Sequence, residues 1–200
     1  MRAEPTPSGG GPLSEEHLRT LQESEAKFRK LGGALRYAGI NGTTMLCFGA
    51  LSLLTGLGSA AAMTIGAVLV GAGFLELRHR TALRHLDTSA LPRLALNQVV
   101  VGIAASAYCA YQAFFPAESE LVNQLTGAGG GDSGIDLDGI VQSVPEITFY
   151  AYLVVAVVVF LVQLLGAAYY MGKRRHLTRY LNESPAWVHD LQKRGLLKAA

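Results

Sequence analysis

Three histidines, His79, His85 and His176, sit among arginines in two short basic stretches. Imidazoles ligate transition metals and carry protons near neutral pH. If the two stretches meet, His176 faces His79 or His85 and a metal or proton site results. The competing reading is a solvated basic face. A second cluster, Asp132, Asp136 and Asp138, lies in GAGGGDSGIDLDG and raises the question of calcium. An EF-hand loop needs oxygen ligands at positions 1, 3 and 5, Gly at 6 and Glu at 12. Setting Asp136 and Asp138 at the second and third ligand positions puts Gly134 at the first and Pro145 at the last. That pattern fails, and a solvated loop is the expectation.

Amides form the third constellation. Asn97, Gln98 and Gln163, with Asn41 and Gln112, interrupt long apolar runs. Such side chains either line a polar path for a solute or hydrogen-bond between helices. Glu76 is the acid nearest to the interior of a run. It lies about two residues inside the end of its predicted span, and is expected to reach water or Arg80. HExxH, GxSxG, P-loop and CxxC motifs do not occur. Without that apparatus no catalytic residue, cofactor or metal is expected. Cys47 and Cys109 fall within apolar runs and read as small packing residues.

These groups must be held by helices that cross a bilayer. Half of the 200 residues are hydrophobic and only 16% are charged. No Asp, Glu, Lys or Arg occurs in 38–75, 94–115 or 147–172. A bilayer core of about 30 Å takes roughly 20 apolar residues as a helix, and helices satisfy their own backbone in lipid. The first run is too long for one span. Gly56-Leu57-Gly58-Ser59 near its middle signals a turn. The expected fold is an all-α integral membrane protein with spans at about 37–57, 59–77, 94–115 and 147–171, arranged as two helical hairpins.

All 17 Lys and Arg fall on one side of this arrangement. The positive-inside rule then places both termini in the cytoplasm. The opposite loop, 116–146, carries six acids and no base, and the basic side carries 17 bases against nine acids, a net of +8. Arg78, Arg80, Arg84, Lys173, Arg174, Arg175 and Arg179 are candidate contacts for anionic lipid headgroups, which attract such residues by about 1 kcal/mol each. Nothing supports nucleic acid as a partner beyond the charge itself.

The flanks follow. Residues 1–12 read as a disordered tail. Residues 13–35 read as a cytoplasmic amphipathic helix, N-capped by Ser14 and broken by Gly32-Gly33, lying at the lipid interface or pairing with a partner. Residues 36–92 hold the first hairpin and its basic linker. Residues 93–172 hold the second hairpin with its acidic outer loop, its last span starting at a Ser143/Glu146 capping box. Residues 173–200 form a basic tail that restarts a helix, with Ser184 as N-cap, as a short interfacial anchor. Gly42, Gly49 and Gly56 recur every seven residues, as do Ser59, Gly66 and Gly73; Gly102 continues the theme in the third span. Small residues let membrane helices approach closely, so these glycines are candidate packing residues.

RTALRHLDTS at 80–89 returns as RHLTRYLNES at 175–184. Over 71–89, six of nineteen positions match at that offset. A duplicated hairpin would produce this, as a parallel tandem repeat. So would two helix ends that obey the same charge rule. If the repeat is real, Arg80/Arg84 and Arg175/Arg179 would continue their helices into the headgroup region and anchor there by snorkelling.

The first functional expectation is a non-enzymatic subunit, scaffold or membrane-organising factor. It would contact anionic lipids and either another membrane protein or copies of itself. The alternative is a small homo-oligomeric transporter or channel, with Asn97, Gln98 and Gln163 along its path. Arg outnumbers Lys twelve to five, which suggests a GC-rich genome and a bacterial inner membrane.

Overall fold

A computed structural model of the chain describes residues 14–115 and 137–194, and within these the side chains of 137–144 are excepted. The described residues form five helices and no strand: α1 (Glu15–Thr55), α2 (Ala60–Arg84), α3 (Ala90–Phe114), α4 (Leu137–Glu183) and α5 (Ala186–Lys193). The first four are long and apolar enough to cross a membrane, and the chain fits a multi-pass membrane protein. The tail 1–12 and the acids Asp132 and Asp136 lie outside the described residues.

Helix α1 starts where Ser14 accepts a hydrogen bond from the His17 N–H, with Glu15 and Glu16 in the first turn. It does not break at Gly32-Gly33. It runs unbroken for 41 residues, about 60 Å. Each glycine costs about 1 kcal/mol in helix propensity, but the segment around them is held by packing. Leu31 and Ala34 are fully buried. A Cβ on Gly33 would sit 2.9 Å from the Tyr169 hydroxyl, so the missing side chain admits α4.

Helices α1 and α2 meet glycine to glycine. A Cβ at Gly42 would lie 3.1 Å from the Gly73 carbonyl oxygen, and one at Gly49 would lie 2.8 Å from that of Gly66. Between the two helices Gly56 caps α1 by donating to the Ser52 carbonyl at 2.9 Å. Gly58 adopts φ 121°, which only glycine takes without strain. Ser59 then caps α2. On the other side of the bundle, a Cβ at Gly102 of α3 would meet the Gln163 Cβ of α4 at 3.0 Å.

The largest buried cluster lies at the basic end. It joins Phe28, Leu31 and Leu35 of α1 to Leu83, Leu91, Leu94, Tyr170, Leu177 and Tyr180. Phe28, Leu31 and Leu35 of α1 are therefore packed within the chain, while Leu18 nearer its start is 46% exposed. Helix α5 is packed too. It is capped by Pro185, one residue later than Ser184, and buries Val188 and Gln192. The Tyr180 hydroxyl donates to Gln192 Oε1 at 2.6 Å, and Trp187 meets the His17 ring edge-on at 5.6 Å. Both flanks, expected at the lipid interface, pack against each other and against the extension of α4.

Two further boundaries differ from expectation. Helix α4 begins at Leu137, six residues before Ser143, and continues through Pro145. The capping box is therefore not its start. Helix α2 ends at Arg84, where Leu86 adopts φ 64°. The Asp87 N–H donates to the Ala82 carbonyl and the Leu86 N–H to that of Leu83, closing a Schellman turn with leucine where glycine is usual. Asp87 Oδ1 accepts from the Ser89 N–H and hydroxyl, and these bonds hold its carboxyl below the usual carboxylate range.

Candidate functional site

The α2 face that carries Gly66 and Gly73 also carries Glu76. Small residues on this face bring the neighbouring helices close, so the carboxylate is enclosed by the bundle. Glu76 is completely buried. It reaches neither water nor Arg80, and no ion pair joins it to Arg80 among the described residues. Each neighbouring helix supplies a neutral donor instead. Asn41 Nδ2 of α1 donates to Oε1 at 3.3 Å, and Gln98 Nε2 of α3 donates to the same oxygen at 2.9 Å. Asn97 Nδ2 of α3 donates to Oε2 at 2.7 Å. The Tyr170 hydroxyl of α4 completes the set at 2.5 Å.

Asn41, Asn97, Gln98 and Tyr170 are all placed to donate to this carboxyl. The carboxyl is thus the shared acceptor where the four long helices meet. Asn97 also donates to the Ala72 carbonyl at 3.1 Å, which fixes the register of α3 on α2. Tyr37 packs edge-on against Tyr170 with ring centroids 5.5 Å apart. Its hydroxyl and Gln98 Oε1 lie 2.8 and 3.4 Å from where a Gly166 Cβ would stand. Gln98 Oε1 is buried with no hydrogen-bond partner among the described residues.

The amides singled out from the sequence thus part company. Asn97 and Gln98 hold Glu76, while Gln163 lies half-buried against Gly102. Tyr170 was missed. In the sequence it is one of several tyrosines at a span end, where an aromatic belt explains it equally well. The signal that could have found it is Glu76 itself, an acid preceded by an uncharged run, which calls for a donor on a facing helix.

The basic residues are distributed over the end of the bundle. Arg78, Arg84, Arg174, Arg175 and Arg179 are exposed, and Lys173 is half-buried. Lys173 Nζ donates to the Lys30 carbonyl at 3.0 Å and lies 5.3 Å from the centre of the Tyr169 ring. Arg179 pairs with Glu183 at 2.5 Å, and Lys27 of α1 reaches the same carboxylate at 2.8 Å. Lys27 and Arg179 pull the Glu183 carboxyl down to about 2. The Arg80 side chain lies against α1, where a Cβ on Gly39 would stand 2.7 Å from its Cζ. Among the described residues no three His, Cys, Asp or Glu side chains are placed to share a metal. Cys47 is exposed and Cys109 buried, and both are free thiols.

Fold and site together define an all-helical chain whose four membrane-length helices converge on one buried, hydrogen-bonded carboxylate. No protein-family model matches it, and no curated protein or solved structure does so either.

Proposed function

We propose that this chain is a non-enzymatic subunit, scaffold or membrane-organising factor of a bacterial inner membrane. Its basic end and both termini face the cytoplasm, following the one-sided placement of all 17 Lys and Arg. One observation carries the reading. The largest buried cluster lies at the basic end, where α1, α2, α3 and α4 pack together and α5 joins through the Tyr180–Gln192 hydrogen bond. The outward faces of the spans, such as Phe48, Leu54, Phe74 and Leu165, stay exposed for lipid or another apolar surface. A rigid platform on a lipid-facing stem suits presentation of a surface better than turnover of a substrate. The platform would meet anionic headgroups and a partner protein.

The test is native mass measurement of the complex extracted from its own membranes in mild detergent. A second protein at fixed stoichiometry, lost from an Arg174→Gln/Arg175→Gln variant, supports the reading. A homo-oligomer with no second protein counts against it.

A homo-oligomeric transporter or channel is the second reading, and buried Glu76 with Asn97 and Gln98 around it favours that one. Intramembrane acids commonly mark ion pathways. Proteoliposomes carrying a luminal pH dye test it. Proton flux that disappears in Asn97→Leu or Gln163→Leu, with the fold retained, would shift the assignment to transport.

A further inference from the structure

A groove of about 510 Å³ runs between α1 and α2 at the basic end. Three guanidiniums line it, from Arg36, Arg80 and Arg84, and no acidic residue does. None of the three is in an ion pair among the described residues. Arg80 is the innermost. Its Nε is buried without a hydrogen-bond partner among the described residues. Gly39 makes its seat, because any Cβ there would strike the guanidinium. Three adjacent cations repel one another, and a buried guanidinium N–H without an acceptor is costly. The geometry therefore suits an anionic ligand.

The rest of the lining says which kind of anion. Ile40 and Thr44 continue the groove along α1 into the uncharged run, and Ile40 is 63% exposed. An occupant would place its charge among the arginines and an apolar chain along Ile40. We infer that this groove binds one anionic phospholipid, its phosphate held by Arg36, Arg80 and Arg84 and an acyl chain lying along Ile40. Arginine forks match phosphate oxygens in pairs. Such a lipid would clamp the α1–α2 pair at its basic end. This inference rests on the membrane reading above but needs no protein partner, so either can fail alone.

The experiment titrates the delipidated full chain in mild detergent with phosphatidylglycerol or phosphatidylcholine and counts bound lipid by native mass spectrometry. The expected result is one tight phosphatidylglycerol, preferred about tenfold over phosphatidylcholine, with about a tenfold loss in Arg36→Gln/Arg80→Gln/Arg84→Gln. Lys193→Gln/Arg194→Gln, exposed at the end of α5 and outside the groove lining, should bind as wild type does. Gly39→Ala keeps all three charges and displaces the Arg80 guanidinium, so it should weaken binding while helicity is retained. If the triple variant fails to fold, exposed Arg84→Gln alone should still lose about threefold. Equal binding by wild type and these groove variants, or no preference between the two lipids, would overturn the assignment. Competition by inorganic phosphate as effective as that by lipid would overturn it too, making the groove a free-anion site.

Discussion

Tyr170 and Glu76, 94 residues apart, share a hydrogen bond of 2.5 Å that ties α4 to α2. Both residues are completely buried. A buried acceptor that loses one donor keeps its desolvation cost. Tyr170→Phe should therefore destabilise the protein by about 1–3 kcal/mol, the usual scale for a buried polar group left short of a partner. Glu76→Leu should cost more, about 3 kcal/mol or above, because Asn41, Gln98 and Tyr170 lose this acceptor at once and Asn97 keeps only the Ala72 carbonyl. Thermal unfolding in detergent, followed by circular dichroism, reads both. A Tyr170→Phe midpoint equal to wild type would mean that the bond does not hold the bundle.

Two α1–α2 glycines give a paired prediction of opposite sign. A Cβ at Gly49 would lie 2.7 Å from the Val70 backbone nitrogen, and backbone cannot yield cheaply. Gly71 on the same helix as Val70 has nothing within 4 Å of its Cβ position. Gly49→Ala should destabilise by about 1–3 kcal/mol through overpacking. Gly71→Ala should stabilise by up to about 1 kcal/mol through helix propensity. The same unfolding measurement checks both signs, and a stabilising Gly49→Ala would refute the close approach.

Acid should release the flanks before the bundle. Lys27 of α1 and Arg179 hold Glu183, whose carboxyl is lowered to about 2 by these partners. A depressed carboxyl stabilises the fold above the ordinary carboxylate pKa of about 4.3 and loses that contribution as pH falls toward the folded value. Between about pH 4.5 and 2, then, the tie from α1 to the end of α4 weakens. Trp187, the only tryptophan, packs on His17 of α1 and reports the change by fluorescence. The transition should be reduced in Glu183→Gln. An identical acid transition in that variant would dissociate the ion pair from docking of the flanks.

The four membrane-length helices were legible because lipid imposes a one-dimensional rule. A run of about 20 apolar residues without charge is long enough to cross a bilayer as a helix, and a helix satisfies its own backbone there. Ser14 and Ser59 were equally local, since a cap depends on neighbours in sequence. Glu76 was not legible. From the chain it sits near the end of a run, within reach of Arg80 one turn on. Only the approach of α3 and α4 brings Asn97, Gln98 and Tyr170 around it, and only the glycine contacts with α1 point Arg80 away.

The repeated basic phrase shows the same divide. Leu86 and Leu181 occupy equivalent places in the two copies. Leu86 turns into φ 64° and ends α2, whereas Leu181 stays within α4, which continues to Glu183. Two similar local sequences take different backbones because what each must meet differs. The first copy must turn at once to start α3 at Ala90, and burying Leu86 offsets its strained φ. The second has Phe28 and Gln192 to pack against Tyr180 and gains by staying helical. That the chain is helical, apolar and basic on one side of its runs was readable without coordinates, since all three follow from composition along the chain. The tertiary structure decided which polar groups are buried together and which charges are left without a partner, because both depend on residues distant in sequence meeting across helices.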